Sequence, residues 1–117
     1  MAYEQNGRGE IASKILHCHL IKEGYQVFVE DGSQGPIDMV AVDLENGTVR
    51  YFDVKCQARR KDGSTINRTL KERQRALEIR GGIAIELAYV DTETYEVRIP
   101  KRRKTYANQE EYMKKFA

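Results

Sequence analysis

The stretch Gly35–Gln57, GPIDMVAVDLENGTVRYFDVKCQ, decides the architecture, because two β-branched, aromatic runs in it flank a turn and place two carboxylates and a lysine within reach of one another. IDMVAVD (37–43) and VRYFDVKCQ (49–57) are rich in Val, Ile, Tyr and Phe, which fit a pleated, half-buried surface. Between them lies LENGT (44–48), and Asn-Gly between two such runs is the strongest short-range signal for a two-residue hairpin turn. The spacing therefore predicts an antiparallel hairpin with Asn46 and Gly47 at its tip. Counting outward, Glu45 faces Thr48, Val40 faces Asp53 and Asp38 faces Lys55, which leaves Asp38 diagonal to Asp53. Opposed and diagonal residues share a sheet face, the diagonal ones roughly 7–8 Å apart. Two carboxylates so placed can lean onto one ion. A longer turn shifts this register, and a slip of one residue sends a side chain to the other face.

Two Asp and one Lys on the face of an apolar sheet need partners, since buried charge is paired or coordinated. One solution is salt bridging to Lys55 at a strand end. The other is a hard divalent cation, Mg2+ or Mn2+, held by Asp38, Asp53 and the backbone carbonyl of Val54, with Lys55 placed to orient or activate a water.

Upstream of the hairpin, Ile11, Ile15 and Cys18 fall on one helical stripe flanked by Ala12, Leu16 and His19. This predicts a helix over 9–22 that ends at Gly24. Glu10 lies in its first turn, where a carboxylate is favourable to the helix dipole. YQVFVE (25–30) alternates as a strand does, DGSQG (31–35) is a loop, and Pro36 suits a strand start because its missing N–H removes no interior ladder bond.

Downstream, ARRKDGSTINRTLKER (58–73) is polar and basic. A helix over 69–80 follows, with Leu70, Gln74 and Leu77 on one face and Gly81-Gly82 ending it; Gln74 lies either against the sheet or towards the site. Residues 83–91 and 95–100 form a second hairpin about Thr92–Thr94. Ile83, Ile85, Leu87 and Tyr89 share one parity and only Glu86 interrupts the other, as in a strand covered on both faces. The crossover helix between strands 49–57 and 83–91 allows these two to run parallel. KRRK (101–104) is the densest charge run, and Asn108 caps a short helix over 109–116. The expected fold is one α/β (α+β) domain over residues 1–117, a central mixed five-stranded sheet flanked by helices.

The chain of 117 residues is 40% hydrophobic and 32% charged, with a formal net charge of +2. The charge content exceeds the usual quarter, but so small a net value leaves any nucleic-acid surface to be found from the distribution of charge. The two cysteines, Cys18 and Cys56, belong to no C-x-x-C pair. They read as buried thiols, which speaks against a disulfide framework or zinc site and fits a cytoplasmic protein. His17 and His19, two apart on a helix, point roughly 200° from each other and cannot share a metal. No apolar run approaches the ~20 residues of a membrane span, and the N-terminus has no signal-peptide pattern. A soluble protein with no membrane partner and no organic cofactor is expected.

Pro36-Ile37-Asp38, then fourteen residues, then Asp53-Val54-Lys55, resembles the bipartite motif of the PD-(D/E)xK nuclease superfamily, with one residue inserted between Pro and Asp. A Glu on a preceding helix, here Glu10, and a Gln just after the D-x-K, here Gln57, also recur in that superfamily. RQRALEIRGGIAIELAYV (73–90) is similar to the helix and Gly-Gly strand that follow the core in its Holliday junction resolvases. The resemblance covers about residues 7–90. It implies a restriction-endonuclease-like core and a Mg2+-dependent endonuclease, most closely an archaeal-type Holliday junction resolvase, with Mn2+ able to substitute. It implies that Glu10 completes or tunes the metal shell, that Gln57 orients the attacking water, and that Ser33 matches a loop serine contributing to cleavage in archaeal-type resolvases. Arg8, Arg59, Arg60, Lys61, Arg68, Lys101, Arg102, Arg103 and Lys104 then form a phosphate-contacting surface for DNA. One such site cleaves one strand, so paired nicks on a four-way junction imply a homodimer. Two other readings are a homing or repair endonuclease of the same superfamily acting on duplex DNA, and a non-catalytic DNA-binding module with this fold.

Overall fold

The computed structural model describes residues 2–32 and 34–101. Its elements are α1 (Ala2–Lys22), β1 (Tyr25–Val29), β2 (Met39–Asp43), β3 (Val49–Cys56), α2 (Glu72–Gly81), β4 (Ile85–Val90) and β5 (Val97–Arg98). The five strands make one sheet in chain order, β1-β2-β3-β4-β5. β3 and β4 pair in parallel across the α2 connection, and the other neighbours are antiparallel. The expected mixed α+β sheet is therefore present. The helix expected over 109–116 lies outside the described residues.

The hairpin forms, but its register differs from expectation. Val40 pairs with Tyr51 and Met39 with Phe52, where a two-residue turn would have put Val40 opposite Asp53. The cause is the Asp43 side chain, whose Oδ1 accepts the N–H groups of Glu45 (2.8 Å) and Asn46 (3.3 Å). That Asx-type capture closes the strands earlier, at the Asp43 N–H to Thr48 carbonyl bond of 2.8 Å. Residues 44–47 become a four-residue loop, with Gly47 at a positive φ of 75°.

At the other end of β2 the ladder is distorted. The Asp38 N–H donates to the Phe52 carbonyl at 2.9 Å although Met39 is the residue registered with Phe52. Two residues thus oppose one, as in a β-bulge, which bends a strand and re-aims a side chain. The side chain it re-aims is that of Asp38.

α1 covers one face of the sheet. Ala12, Leu16 and Leu20, spaced by four, are at most 1% exposed and pack on Met39, Ala41, Phe52, Ala88 and Val90. The stripe expected from Ile11, Ile15 and Cys18 is displaced: Ile11 is 48% exposed, Ile15 is only partly buried and Cys18 is exposed. The two apolar stripes are neighbours on the helix, and the face offered by Met39 and Phe52 selects between them. Cys56 is exposed as well, so neither thiol is the buried group expected of it. Burial of Leu16 and Leu20 contributes about 1.5–3 kcal/mol each.

Glu86, the polar interruption in β4, is held by Arg50 of β3 through two bonds, Nε to Oε2 at 2.8 Å and Nη2 to Oε1 at 2.6 Å. The guanidinium also stacks 4.9 Å from the centre of the Phe52 ring. Such a fork satisfies a part-buried carboxylate that a strand could not otherwise carry. Among the described residues no helix is long and apolar enough to cross a membrane.

Candidate functional site

Residue types that disfavour burial meet where β2 and β3 part. Asp53, on β3, is buried at 6% exposure, and its Oδ2 lies 3.3 Å from Lys55 Nζ two residues on, on the same face. Asp38, aimed by the bulge, accepts the Val54 N–H at 2.7 Å through Oδ2 and shares a hydrogen bond with the Asp53 carboxyl. The N–H and C=O of one strand residue point to the same edge, so the Val54 carbonyl also faces the Asp38 side.

Two carboxyl groups thus share one ammonium. Burial, reinforced by the hydrogen bond to Asp53 and by its charge, pushes the Asp38 carboxyl up to about 7, against the lowering effect of the Val54 N–H and Lys55. A proton settles the surplus charge in the metal-free protein. The same position suits a divalent cation, which binds carboxylates only when they are deprotonated. Among the described residues no group of three or more His, Cys, Asp or Glu side chains comes together as a metal cage. Two carboxylates and a carbonyl nevertheless fit Mg2+, which keeps several waters and commonly takes only one or two protein carboxylates.

A pH dependence follows from the raised Asp38 carboxyl. Between its ordinary value of 3.8 and about 7 the folded protein binds a proton that the unfolded chain does not, so the stability this provides is present below about 4 and lost as pH rises to 7. In EDTA the melting temperature is expected to fall across that window, and less so in Asp38→Asn. Millimolar Mg2+ added at pH 8 should recover part of the loss. A wild-type profile with the same slope as Asp38→Asn would count against the shared proton.

The remaining expected site residues are dispersed. Glu10 is exposed on the α1 wall of a cleft of about 760 Å³ that Asp38 and Val54 also line, and it joins no three-carboxylate cluster. Expected to complete a metal shell, it lines the cleft from α1, which packs across the sheet face. Gln57 lies on the Lys55 face, but both ends of its amide are engaged: Oε1 accepts from Arg98 Nε at 3.0 Å and Nε2 donates to the Ala58 carbonyl at 2.8 Å. These two bonds set the orientation of the Gln57 amide, which keeps one N–H and one lone pair beyond them. Ser33, Arg102, Arg103 and Lys104 lie outside the described residues.

Of the other basic positions, Arg8, Lys61, Arg68 and Lys101 are exposed. Arg59 and Arg60 are exposed too, yet both spend donors on their own loop. Arg59 contacts Asp91 Oδ2 at 3.5 Å and the Gly63 carbonyl at 3.2 Å, and Arg60 Nη1 reaches the Thr65 carbonyl at 3.0 Å. An Arg59–Thr65 bridge and an Ile66 N–H to Ala58 carbonyl bond of 3.0 Å turn this polar stretch into a small projecting hairpin. The helix that follows starts at Glu72, later than expected.

Two supporting residues carry no obvious signal in the sequence. Glu30 Oε1 accepts the N–H groups of Gln34 (2.9 Å) and Gly35 (2.5 Å), and the Glu30 N–H donates to the Asp38 carbonyl at 3.0 Å. A Cβ at Gly35 would stand 3.0 Å from that Oε1, so a larger residue at 35 would push the Glu30 carboxylate aside by a few tenths of an ångström. Gln74, buried at 5%, accepts the Lys71 N–H at 2.8 Å and donates to the Pro36 carbonyl at 3.1 Å. It starts α2 and fixes the chain two residues before Asp38. Gln74 is thus buried, and its amide holds the backbone at Pro36.

No family model and no curated protein matches this sequence. The fold is similar to the solved structure of a bacterial homing endonuclease, I-Ssp6803I, with a TM-score of 0.59 and 17% sequence identity over 81% of this chain and 67% of that one.

Proposed function

We propose that the chain is a metal-dependent DNA endonuclease, with Asp38, Asp53 and the Val54 carbonyl holding Mg2+, for which Mn2+ substitutes. The observation that carries this reading is the pair of adjoining carboxyl groups served by a single lysine at the splayed end of β2 and β3. The likeness in fold to a homing endonuclease structure supports it. When bound, the ion supplies Lewis-acid stabilisation of charge developing on the phosphoryl oxygens and lowers the pKa of a bound water. The chain's own contributions are positional. Lys55, held over Asp53, presents an ammonium to the non-bridging oxygens of the scissile phosphate, where preorganised charge favours the transition state. The Val54 N–H fixes the orientation of Asp38, and Gln74 with Glu30 anchors the backbone on either side of the loop that leads to it.

The substrate reading follows the sequence resemblance over residues 7–90: a four-way Holliday junction, cut by a homodimer at two symmetric positions. The likeness in fold to a homing endonuclease supports a second reading, a homing or repair endonuclease acting on duplex DNA. Incubating the protein with a labelled junction beside a duplex of the same arms decides between them. Paired symmetric nicks on the junction, with a solution mass of two chains, are the expected result in Mg2+. Equal nicking of the duplex by a monomer would leave the endonuclease reading and remove the resolvase one. No cleavage of either substrate would leave a non-catalytic DNA-binding module.

A further inference from the structure

The cleft beside Asp38 has a wall that the proposed chemistry does not use. Glu10, Ser13, Lys14 and His17 recur at i, i+3, i+4 and i+7 along α1, the spacing of one helix face, and all four line the cleft. Its other charged lining is acidic, Glu30 and Asp31 from the loop after β1 and Asp38 at the floor. Lys14 is the one permanent cation among the described lining residues, and among the described residues it has no carboxylate partner within ion-pair distance.

That combination restricts where a phosphate can sit. A phosphodiester is repelled by Glu10, Glu30 and Asp31, and it would be accepted only beside Asp38, where the proposed cation would be held, or beside Lys14. From Glu10 to His17 the helix advances seven residues, about 10 Å at 1.5 Å per residue. Successive phosphates of one strand wind about the axis and lie farther apart than its rise of about 3.4 Å per nucleotide, so the stripe is long enough to run beside about two of them. The cleft, at about 760 Å³, is within the size range of small-ligand pockets.

We infer that the cleaved strand runs along α1, with Lys14 binding the phosphate next to the scissile one and Ser13 and His17 bordering its path. This rests on the endonuclease reading and adds to it the direction of the strand through the site. Lys14 is a binding and positioning residue here, since it touches a neighbouring phosphate and not the reacting one.

The test combines a side-chain change with a charge change on the DNA. Duplexes and junctions carrying a single methylphosphonate, one position at a time on either side of the cleaved bond, are titrated by fluorescence anisotropy against wild type, Lys14→Gln and Lys14→Arg. One methylphosphonate adjacent to the scissile position should weaken wild-type binding about tenfold and Lys14→Gln hardly at all, because the contact is already gone. The slope of log affinity against log salt should fall by up to about one unit in Lys14→Gln and return in Lys14→Arg. Equal methylphosphonate penalties in wild type and Lys14→Gln, or an unchanged salt slope, would overturn the inference while wild-type cleavage leaves the endonuclease reading intact. Wild-type protein that binds DNA without cleaving it would refute that reading, whatever Lys14 does.

Discussion

Replacing Asp53 by Asn is expected to lower phosphodiester cleavage by on the order of 10³-fold or more while DNA binding persists or tightens. The substitution keeps the size of the side chain and its hydrogen bonding to Asp38 but removes a charge from the proposed cation site. An ion that stabilises the transition state by several kcal/mol, at about 1.4 kcal/mol per tenfold in rate, gives a loss of that order. Binding is expected to survive because the basic positions proposed to contact phosphates lie elsewhere and the loss of a negative charge reduces repulsion. The fold should also survive, since Lys55, left without its partner at 3.3 Å, is near enough to the surface to be solvated. Full activity in Asp53→Asn, or wild-type cleavage undiminished in EDTA, would end the metal-dependent reading.

The second large effect is on stability and lies away from the site. Glu78 is 0% exposed within α2, and its Oε2 accepts the Ile85 N–H at 2.6 Å, the first residue of β4. The bond ties the end of the crossover helix to the strand that pairs in parallel with β3. Glu78→Ala removes that acceptor and opens a cavity, and the combined cost is about 3 kcal/mol. For a domain of this size that lowers the melting temperature by roughly 15 °C. Glu78→Gln retains an acceptor oxygen at the same reach, so it should lose about half as much. Thermal unfolding followed by circular dichroism separates the two, and an Ala variant that melts with wild type would show that the bond adds nothing.

How far this could be read from residues alone depends on the range of the interaction. Alternation in 25–30, 37–43 and 49–57 marked three strands, and the polar stretch with a helical face between β3 and β4 marked a crossover; each rests on neighbours in the chain. The grouping of Asp53 with Lys55 was equally legible, because residues two apart on a strand share a face whatever the strand pairs with. Asp38 was identified correctly as their companion, although for an imperfect reason. The register was two residues off, and a shift of two preserves parity where a shift of one would not.

The tertiary structure decided the rest. Asn46-Gly47 pointed to a two-residue turn, and the Asp43 carboxylate captured the loop instead. Arg98, forty-one residues away, bonds to the Gln57 amide and sets its orientation. Gln74 reaches Pro36 and Arg50 reaches Glu86 across similar separations, and no periodicity in a local window encodes such pairs. The sequence by itself determined the order of elements, the pairing of β2 with β3 and the two carboxylates and lysine at their end, because local propensity and side-chain parity suffice for these. Only the folded chain could set the bulge that aims Asp38, choose Ala12, Leu16 and Leu20 over Ile11 and Cys18 as the buried stripe, and leave Lys14 on the cleft wall, because each depends on which surfaces meet once the sheet exists.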